Sequence, residues 1–302
     1  MHISVIVLGW NSEKYISPCL KSLEELDLGD VRLEIVVVDN GSTDGTVNLV
    51  KRDFPKVTVI ETGSNLGYAG GNNVGIRYAL QKNNDFIWIV NPDVYVDKNS
   101  LKELLLTAKK FTSGGIFGSK IYFAPGYEFH KDRYSKSEIG HVIWFAGGVI
   151  DWSNMEGKHR GVDQVDNGQF DIDCNTDFVT GASMFVRRKV FDVVGLLDEK
   201  YFLYYEENDF CQRAIKWGWK LIYVSMSKAW HANAQATGIG SSLQDYYITR
   251  NRLLFGIKHA PVYTKMLLIK QAIYLYFQGR PWQKRAIMDY LSGKLGAGSY
   301  QT

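Results

Sequence analysis

Cysteine is scarce in this chain. Its three copies in 302 residues, Cys19, Cys174 and Cys211, are odd in number and far apart. That excludes a C-x-x-C metal pair and a disulfide framework, and it fits a reducing compartment. Charge of one sign is lacking as well: 35 Lys and Arg against 32 Asp and Glu leave a net charge of +3. So small a surplus excludes the concentrated basic face by which proteins hold nucleic acid, and no such partner is expected. Long apolar runs are missing too. The most lipid-like stretch, MLLIKQAIYLYF at 266–277, is interrupted by Lys270 and Gln271 and is shorter than the roughly 18 to 20 residues that span a bilayer. The opening HISVIVLGW has no basic n-region, so no cleavable export signal is expected. No internal repeat and no low-complexity segment occur. The absence of G-x-G-x-x-G after the first strand argues against a dinucleotide-dependent oxidoreductase. What is there is a chain with 45% hydrophobic residues, long enough for one large α/β domain with an appendage.

Short β-branched runs alternate with helical patterns through the first hundred residues. Ile3–Leu8, Leu33–Val38, Val57–Thr62 and Phe86–Val90 read as strands, and Tyr15–Leu26, Thr46–Arg52 and Gly71–Gln81 as helices. Such alternation predicts a mostly parallel, doubly wound sheet with right-handed crossovers. Ligands of these sheets bind beyond the carboxyl ends of the strands, and the polar residues cluster there: Gly9-Trp10-Asn11, Asp39-Asn40-Gly41-Ser42 and Asn91-Pro92-Asp93. Residues 124–171 read as long loops with one or two strands around HVIWFAGGVI. Beyond them come a strand at Asp177–Val186, a helix at Lys189–Val194, a helix from about Asn208 to Gly218 and a strand at Leu221–Val224. The last 45 residues read as helical, apolar and basic.

Each cluster has a structural and a functional reading. Asp39, an acceptor-only carboxylate at a strand mouth, suits the edge of a bound base, while Ser42 and Asp44 suit a capped turn. The glycine-rich run Asn65–Asn73 feeds a helix and admits backbone N–H groups close to phosphate or sugar, but such loops are more often tight turns. Asn91-Pro92-Asp93 places oxygen ligands where a hard cation could bridge to a pyrophosphate, and it is also a common turn tripeptide. Asp97 belongs to a turn or helix start. Glu206, Glu207 and Asp209 follow the aromatic run Tyr201–Tyr205. They suit a helix N-terminus, with Asp209 paired to Arg213, or a general base whose pKa is raised by packed aromatics. His231, after a strand and before the glycine-bearing loop Ala236–Gly240, suits a neutral imidazole ligand.

Together these segments resemble the family 2 glycosyltransferases, especially bacterial rhamnosyltransferase-like members. The resemblance runs over residues 3–256 and rests on VIVLGWNSEKYISPCLKSL, IVVVDNGSTDGT, NLGYAGGNNVGI, WIVNPDVYVD, WFAGGVID with a later HRG, the segment from VTGASMF to KLIYV, AWH and YYITRNRLLF. It implies a GT-A fold, Rossmann-like with a mostly parallel sheet flanked by helices. A domain at 1–256 would divide into a nucleotide-binding half (1–98) and an acceptor and catalytic half (99–256), with a helical extension at 257–302. The donor-binding positions implied are Trp10, Asn11, Asp39, Asn65, Gly71, Asn72, Asn91, Asp93 and Arg250, with Arg250 reaching the pyrophosphate. Asp93 and His231 would hold Mg²⁺ or Mn²⁺. Glu207 is the implied base, with Glu206 and Asp209 as alternatives.

The activity implied is inverting transfer of a sugar, L-rhamnose from dTDP-rhamnose being favoured over a UDP-hexose. The acceptor would be a glycan or lipid-linked, in bacterial cell-surface polysaccharide synthesis at the cytoplasmic face of the membrane. A non-catalytic nucleotide-sugar-binding protein is the rival class. In the extension, Lys258, Lys265, Lys270, Arg280, Lys284, Arg285 and Lys294 are interleaved with aliphatic and aromatic residues. An anionic membrane surface and a homodimer contact are the two partners expected for it.

Overall fold

The computed structural model describes residues 1–232 and 241–300; the expected loop Ala236–Gly240 lies outside them. The first half alternates as its sequence predicts: β1 (His2–Gly9), α1 (Ile16–Glu24), β2 (Arg32–Asp39), α2 (Thr46–Asp53), β3 (Thr58–Glu61), α3 (Gly67–Gln81) and β4 (Phe86–Val90). Then come β5 (Val94–Val96), α4 (Ser100–Lys110), β6 (Gly114–Phe123), β7 (Ile143–Phe145), β8 (Gly148–Asp151), β9 (Glu156–His159), β10 (Cys174–Asn175), β11 (Ser183–Arg187), α5 (Arg188–Val194), α6 (Glu206–Lys216) and β12 (Lys220–His231). Three helices close the chain: α7 (Ser242–His259), α8 (Val262–Gln278) and α9 (Pro281–Leu291).

The sheet runs β10-β12-β6-β11-β4-β1-β2-β3, with β5 on β12 and β7 on β6. Its β4-β1-β2-β3 part is parallel, the product of the expected crossovers. Antiparallel β11 sits between β4 and β6, so the sheet becomes mixed in the second half. Helices flank it. β1 is buried along nearly its whole length, as a central parallel strand covered on both faces must be. Register then fixes the site: Gly9 lies opposite Asp39, and Val7 opposite Val90. The three polar clusters therefore emerge at one edge of the sheet.

Three differences from the sequence reading have local causes. The strand expected from Asp177 begins only at Ser183, because the preceding residues pair elsewhere: Asp177 N–H donates to Gly148 O at 2.9 Å and Thr176 Oγ1 to the same carbonyl at 2.7 Å. Residues 124–171 hold three strands rather than one or two; the extra one, β9, is mostly exposed and polar, so no hydrophobic pattern marks it. Of α4 only the start was anticipated, at Asp97, whose Oδ1 accepts Asn99 N–H at 2.8 Å in the turn before the helix; β6 had no counterpart in the sequence reading. β6 is buried throughout and includes Lys120, whose ammonium is paired with Asp166 at 2.8 Å and with Asp171, fastening the 124–171 segment to the sheet.

The glycines of α3 let it lie directly on the sheet. A Cβ on Gly75 would fall 2.5 Å from Ile6 Cγ2 and 3.0 Å from Val38 Cγ2, inside the core. We expect Gly75→Ala to lower the thermal unfolding midpoint, because overpacking costs about 1–3 kcal/mol against a gain of about 1 kcal/mol in helix propensity. An unchanged or higher midpoint would mean that α3 does not rest on β1 and β2 through this contact.

Candidate active site

Where β1, β2 and β4 end, a cleft of ≈ 300 Å³ opens. It gathers Trp10, Asn11, Asn65, Asn91 and Asp93, with Tyr68 and Phe202 among its walls. Trp10 is 47% exposed and offers a free aromatic face. Asn11, at φ 49°, couples the loops after β1 and β2: its N–H donates to Ser42 Oγ at 2.9 Å and its Oδ1 accepts from Thr43 N–H at 2.8 Å. Asp39 is buried and divided between its two readings. One carboxylate oxygen accepts Ser42 N–H at 3.1 Å and closes the turn; Oδ1 is buried with no hydrogen-bond partner among the described residues. Asp39 is not among the residues that line the cleft; its neighbour Asn40 is.

Asn65 lines the cleft, but its Oδ1 accepts from Asn40 Nδ2 (3.1 Å) and Gly67 N–H (2.9 Å), so that atom shapes the loop. Gly71 and Asn72 are not among the residues lining the cleft. Gly71 packs against Leu8, and Asn72 is buried with its Nδ2 donating to Tyr68 O at 3.0 Å. Both support α3 from within.

The pairing of β5 with β12 sets Val94 opposite His231 and brings His231 Nε2 within 3.2 Å of Asp93 Oδ1. Among the described residues, Asp93 Oδ1 accepts no hydrogen bond, and His231 Nδ1 is likewise buried without a partner. A carboxylate beside an imidazole suits a divalent ion. Among the described residues no third His, Cys, Asp or Glu joins them.

Glu206, Glu207 and Asp209 occupy the first turn of α6, where carboxylates suit the helix dipole, but their environments differ. Glu206 Oε2 and Glu207 Oε2 are buried and have no hydrogen-bond partner among the described residues. Burial, and then the charge of Glu207, pushes the Glu206 carboxyl well above its ordinary range; burial also pushes Glu207 up. Two carboxyls buried side by side both resist ionisation, because the charged form of each is poorly solvated there. Burial opposes the charge of Asp209 too, but His259, Arg213 and Lys258 outweigh it and hold this carboxyl well below the usual range. Its oxygens meet Arg213 Nε, His259 Nε2 and Lys258 Nζ, each at 2.7 Å. So tightly satisfied a carboxylate is a poor proton acceptor, and Asp209 is withdrawn as an alternative base. It ties α6 to the end of α7. Neither glutamate lines the cleft directly; Tyr68 does, and after burial the charges of Glu207 and Glu206 raise its phenol.

The turn before α6 is strained. Phe202, Tyr204 and Tyr205 have φ of 65°, 68° and 72°, a left-handed conformation that costs bulky residues about 1–3 kcal/mol each. Asn251 Nδ2 holds it by donating to the carbonyls of Tyr201 (2.7 Å), Leu203 (2.7 Å) and Tyr204 (3.0 Å). Arg250, expected at the pyrophosphate, is wholly buried: Nη2 donates to Tyr201 O at 3.0 Å, and Nε to Asn251 Oδ1 at 3.0 Å. Its place is behind the turn. Phe202 O also accepts Tyr68 N–H at 2.6 Å, joining the turn to α3. The residues missed in the sequence are thus Asn251 and Tyr68. An Arg-Asn pair within the apolar helix YYITRNRLLF is the signal for the first.

Residues 4–195 match the pattern of Glycosyl transferase family 2. The chain belongs to this family. Curated relatives include the low-salt glycan biosynthesis hexosyltransferase Agl10 of Haloferax volcanii, 28% identical over 83% of this chain and 74% of that one. The N-acetylglucosaminyl-diphospho-decaprenol L-rhamnosyltransferase of Mycobacterium tuberculosis is 28% identical over 72% of each chain. The dTDP-rhamnosyl transferase RfbF of Shigella flexneri is 26% identical over 90% of this chain and 85% of its own. Among solved structures, the mannosyltransferase PcManGT of Pyrobaculum calidifontis in complex with GDP-Man and Mn²⁺ has a TM-score of 0.57 at 18% identity, covering 99% of this chain and 76% of that one. GalNAc-T7 with UDP, GalNAc and Mn²⁺ has a TM-score of 0.60 at 16% identity, covering 93% and 59%. The fold is GT-A, and the chain is a glycosyltransferase of a family that uses nucleotide-sugar donors.

The clamp on the strained turn is open to test. Asn251→Ala removes the donor shared by three carbonyls, and we expect it to lower the unfolding midpoint and expose the 200–205 turn to limited proteolysis. Each buried carbonyl left without a partner costs about 1–3 kcal/mol. Wild-type stability and protease resistance would show that the turn holds its shape without the clamp.

Proposed function

We propose that this glycosyltransferase is a metal-dependent, inverting hexosyltransferase. The favoured donor is dTDP-L-rhamnose, and the acceptor is a glycan or lipid-linked sugar in bacterial cell-surface polysaccharide synthesis. One observation carries the reading: buried carboxylate oxygens of Asp39, Asp93 and Glu207 have no hydrogen-bond partner among the described residues. Buried polar atoms are rarely left so, and a base edge, a metal ion and an acceptor hydroxyl would complete them in turn. Two relatives named as rhamnosyl transferases favour rhamnose, and the decaprenol-linked acceptor in one name favours a lipid-linked acceptor. A UDP-hexose stays as the alternative donor, because Asp39 would read the same N–H on uracil and thymine. A non-catalytic nucleotide-sugar-binding role would not require a buried acidic pair that resists ionisation. This reading puts the enzyme at the cytoplasmic face of the membrane.

In the mechanism, Asp39 and Trp10 orient the nucleoside while the cleft walls hold the sugar. Glu207 Oε2 takes the proton of the acceptor hydroxyl as that oxygen attacks the anomeric carbon from the side opposite the diphosphate. The bond to the diphosphate oxygen breaks in the same displacement, the configuration inverts, and no covalent enzyme intermediate forms. Glu206, buried beside it, resists ionisation too. Asp93 and His231 would hold the ion, and when bound Mg²⁺ or Mn²⁺ supplies Lewis-acid neutralisation of the leaving diphosphate.

Glu207→Gln keeps the side chain's size but cannot accept the proton. We expect it to cut transfer about 10²–10⁴-fold while nucleoside diphosphate affinity stays close to wild type. Near-wild-type turnover would transfer the role to Glu206. The pH profile is a second check. The base must be ionised and its folded pKa is raised, so kcat should rise with pH with an apparent pKa above the ordinary glutamate value of 4.5. A limb at or below that value would contradict a buried pair.

Asp93→Ala and His231→Ala should each weaken Mn²⁺-dependent binding of the nucleoside diphosphate in calorimetry. Undiminished metal stimulation in both variants would dismiss the shared site.

A further inference from the structure

We infer that α8 is the face by which this chain lies on an anionic membrane surface, an inference that rests on the reading of a lipid-linked acceptor. The helix is turned inside out. Only Thr264 and Leu268 are buried, whereas Val262, Met266, Ile269, Ile273 and Phe277 are 74, 57, 51, 57 and 62% exposed. Their spacing of i, i+4, i+7, i+11 and i+15 sets them on one side of the helix, where Ile269, Ile273 and Phe277 form the exposed rim of an apolar groove shared with α7 and α9. Soluble domains rarely expose so continuous an apolar stripe unless something covers it. This groove, of ≈ 370 Å³, is continued inward by Leu253, Ile257, Ala272, Tyr276 and Ile287.

Charge selects the occupant. Residues 260–288 carry Lys265, Lys270, Arg280, Lys284 and Arg285 and no acidic residue. Arg280 is paired with Asp245 and Arg285 with Asp289, while Lys265, Lys270 and Lys284 have no acidic partner among the described residues. A second copy docked on this face about a two-fold axis would present the same patch, setting cations against cations. Anionic headgroups supply the opposite charge. No described helix is long and apolar enough to cross a membrane; α8, with 17 residues, is about 25 Å long and suits lying in the interface. α7 links this face to the cleft, since it gives Leu243 to the cleft and Leu253 to the groove. Ten residues of helix separate them, about 15 Å, which brings a diphosphate-linked sugar held at the interface toward the site.

The test is co-sedimentation of the full chain with phosphatidylglycerol-containing and pure phosphatidylcholine vesicles, at low and high salt. The exposed pair Ile273→Glu with Phe277→Glu, and the triple change of Lys265, Lys270 and Lys284 to Gln, accompany the wild type. We expect uptake by the anionic vesicles at low salt, release at high salt, and about tenfold or greater loss in both variants, with unfolding midpoints unchanged. No uptake by wild type, or equal uptake of all three proteins, would overturn the inference. Light scattering without vesicles covers the rival occupant: a wild-type dimer that Ile273→Glu with Phe277→Glu makes monomeric, together with no vesicle uptake, would assign the face to a second copy. Nucleoside diphosphate binding, measured without vesicles, tests the functional reading separately, so either result can fail while the other stands.

Discussion

The side-chain amide of Asn251 donates to three main-chain carbonyls in a single turn, and the position of the acidic pair follows from that bond set. Three aromatic residues of the turn are left-handed, a conformation that would relax if the carbonyls lost their donor. Relaxation would carry the start of α6, and with it Glu206 and Glu207, away from Tyr68 and the cleft. The turn is held from the other side as well, where Gly67, at φ 74°, lies so close to Phe202 that a Cβ would collide with its ring. The start of α3, the turn, α6 and α7 therefore form one support for the chemistry.

Buried charge is sorted sharply around that support. Asp209 is met by Arg213, His259 and Lys258. Such pairs specify geometry more than they add stability, because desolvation offsets much of their attraction. Among the described residues, Asp39, Glu206 and Glu207 each keep a buried oxygen without a hydrogen-bond partner, and Asp93 Oδ1 has only the His231 imidazole beside it. One set joins elements to each other, and the other is free to serve a proton or a ligand. A similar division separates two cations of the C-terminal helices: Arg250 is buried behind the turn, and Lys270 stands exposed on α8.

The parallel part of the sheet was legible in the sequence because β1, β2 and β4 are long apolar runs separated by helical spacing. The polar residues that end those strands were legible for the same reason, and Asp39 and Asp93 do lie at the expected edge. Arg250 and Asn251 were not, since their partners are carbonyls some fifty residues away and main-chain conformation leaves no mark in composition. Gly71 belongs to a glycine-rich run that reads as a ligand loop, yet its lack of a side chain serves packing on Leu8. The acidic run gave Glu207 as the base with Glu206 and Asp209 as alternatives; the cations gathered around Asp209 separate it from the other two. In α8 the mixture of apolar and basic residues was plain, but which side faces outward depends on how α7 and α9 pack.

The central claim is that the cleft turns over a nucleotide sugar. It is tested most directly by measuring nucleoside diphosphate release by the purified chain from dTDP-rhamnose and from UDP-hexoses, with a glycan or lipid-linked acceptor, in Mg²⁺ or Mn²⁺ and again in EDTA. The account predicts acceptor-dependent release from one of these donors, dTDP-rhamnose being favoured, that EDTA abolishes and added metal restores. Tight nucleoside diphosphate binding without release from any donor would contradict it and leave a nucleotide-sugar-binding protein.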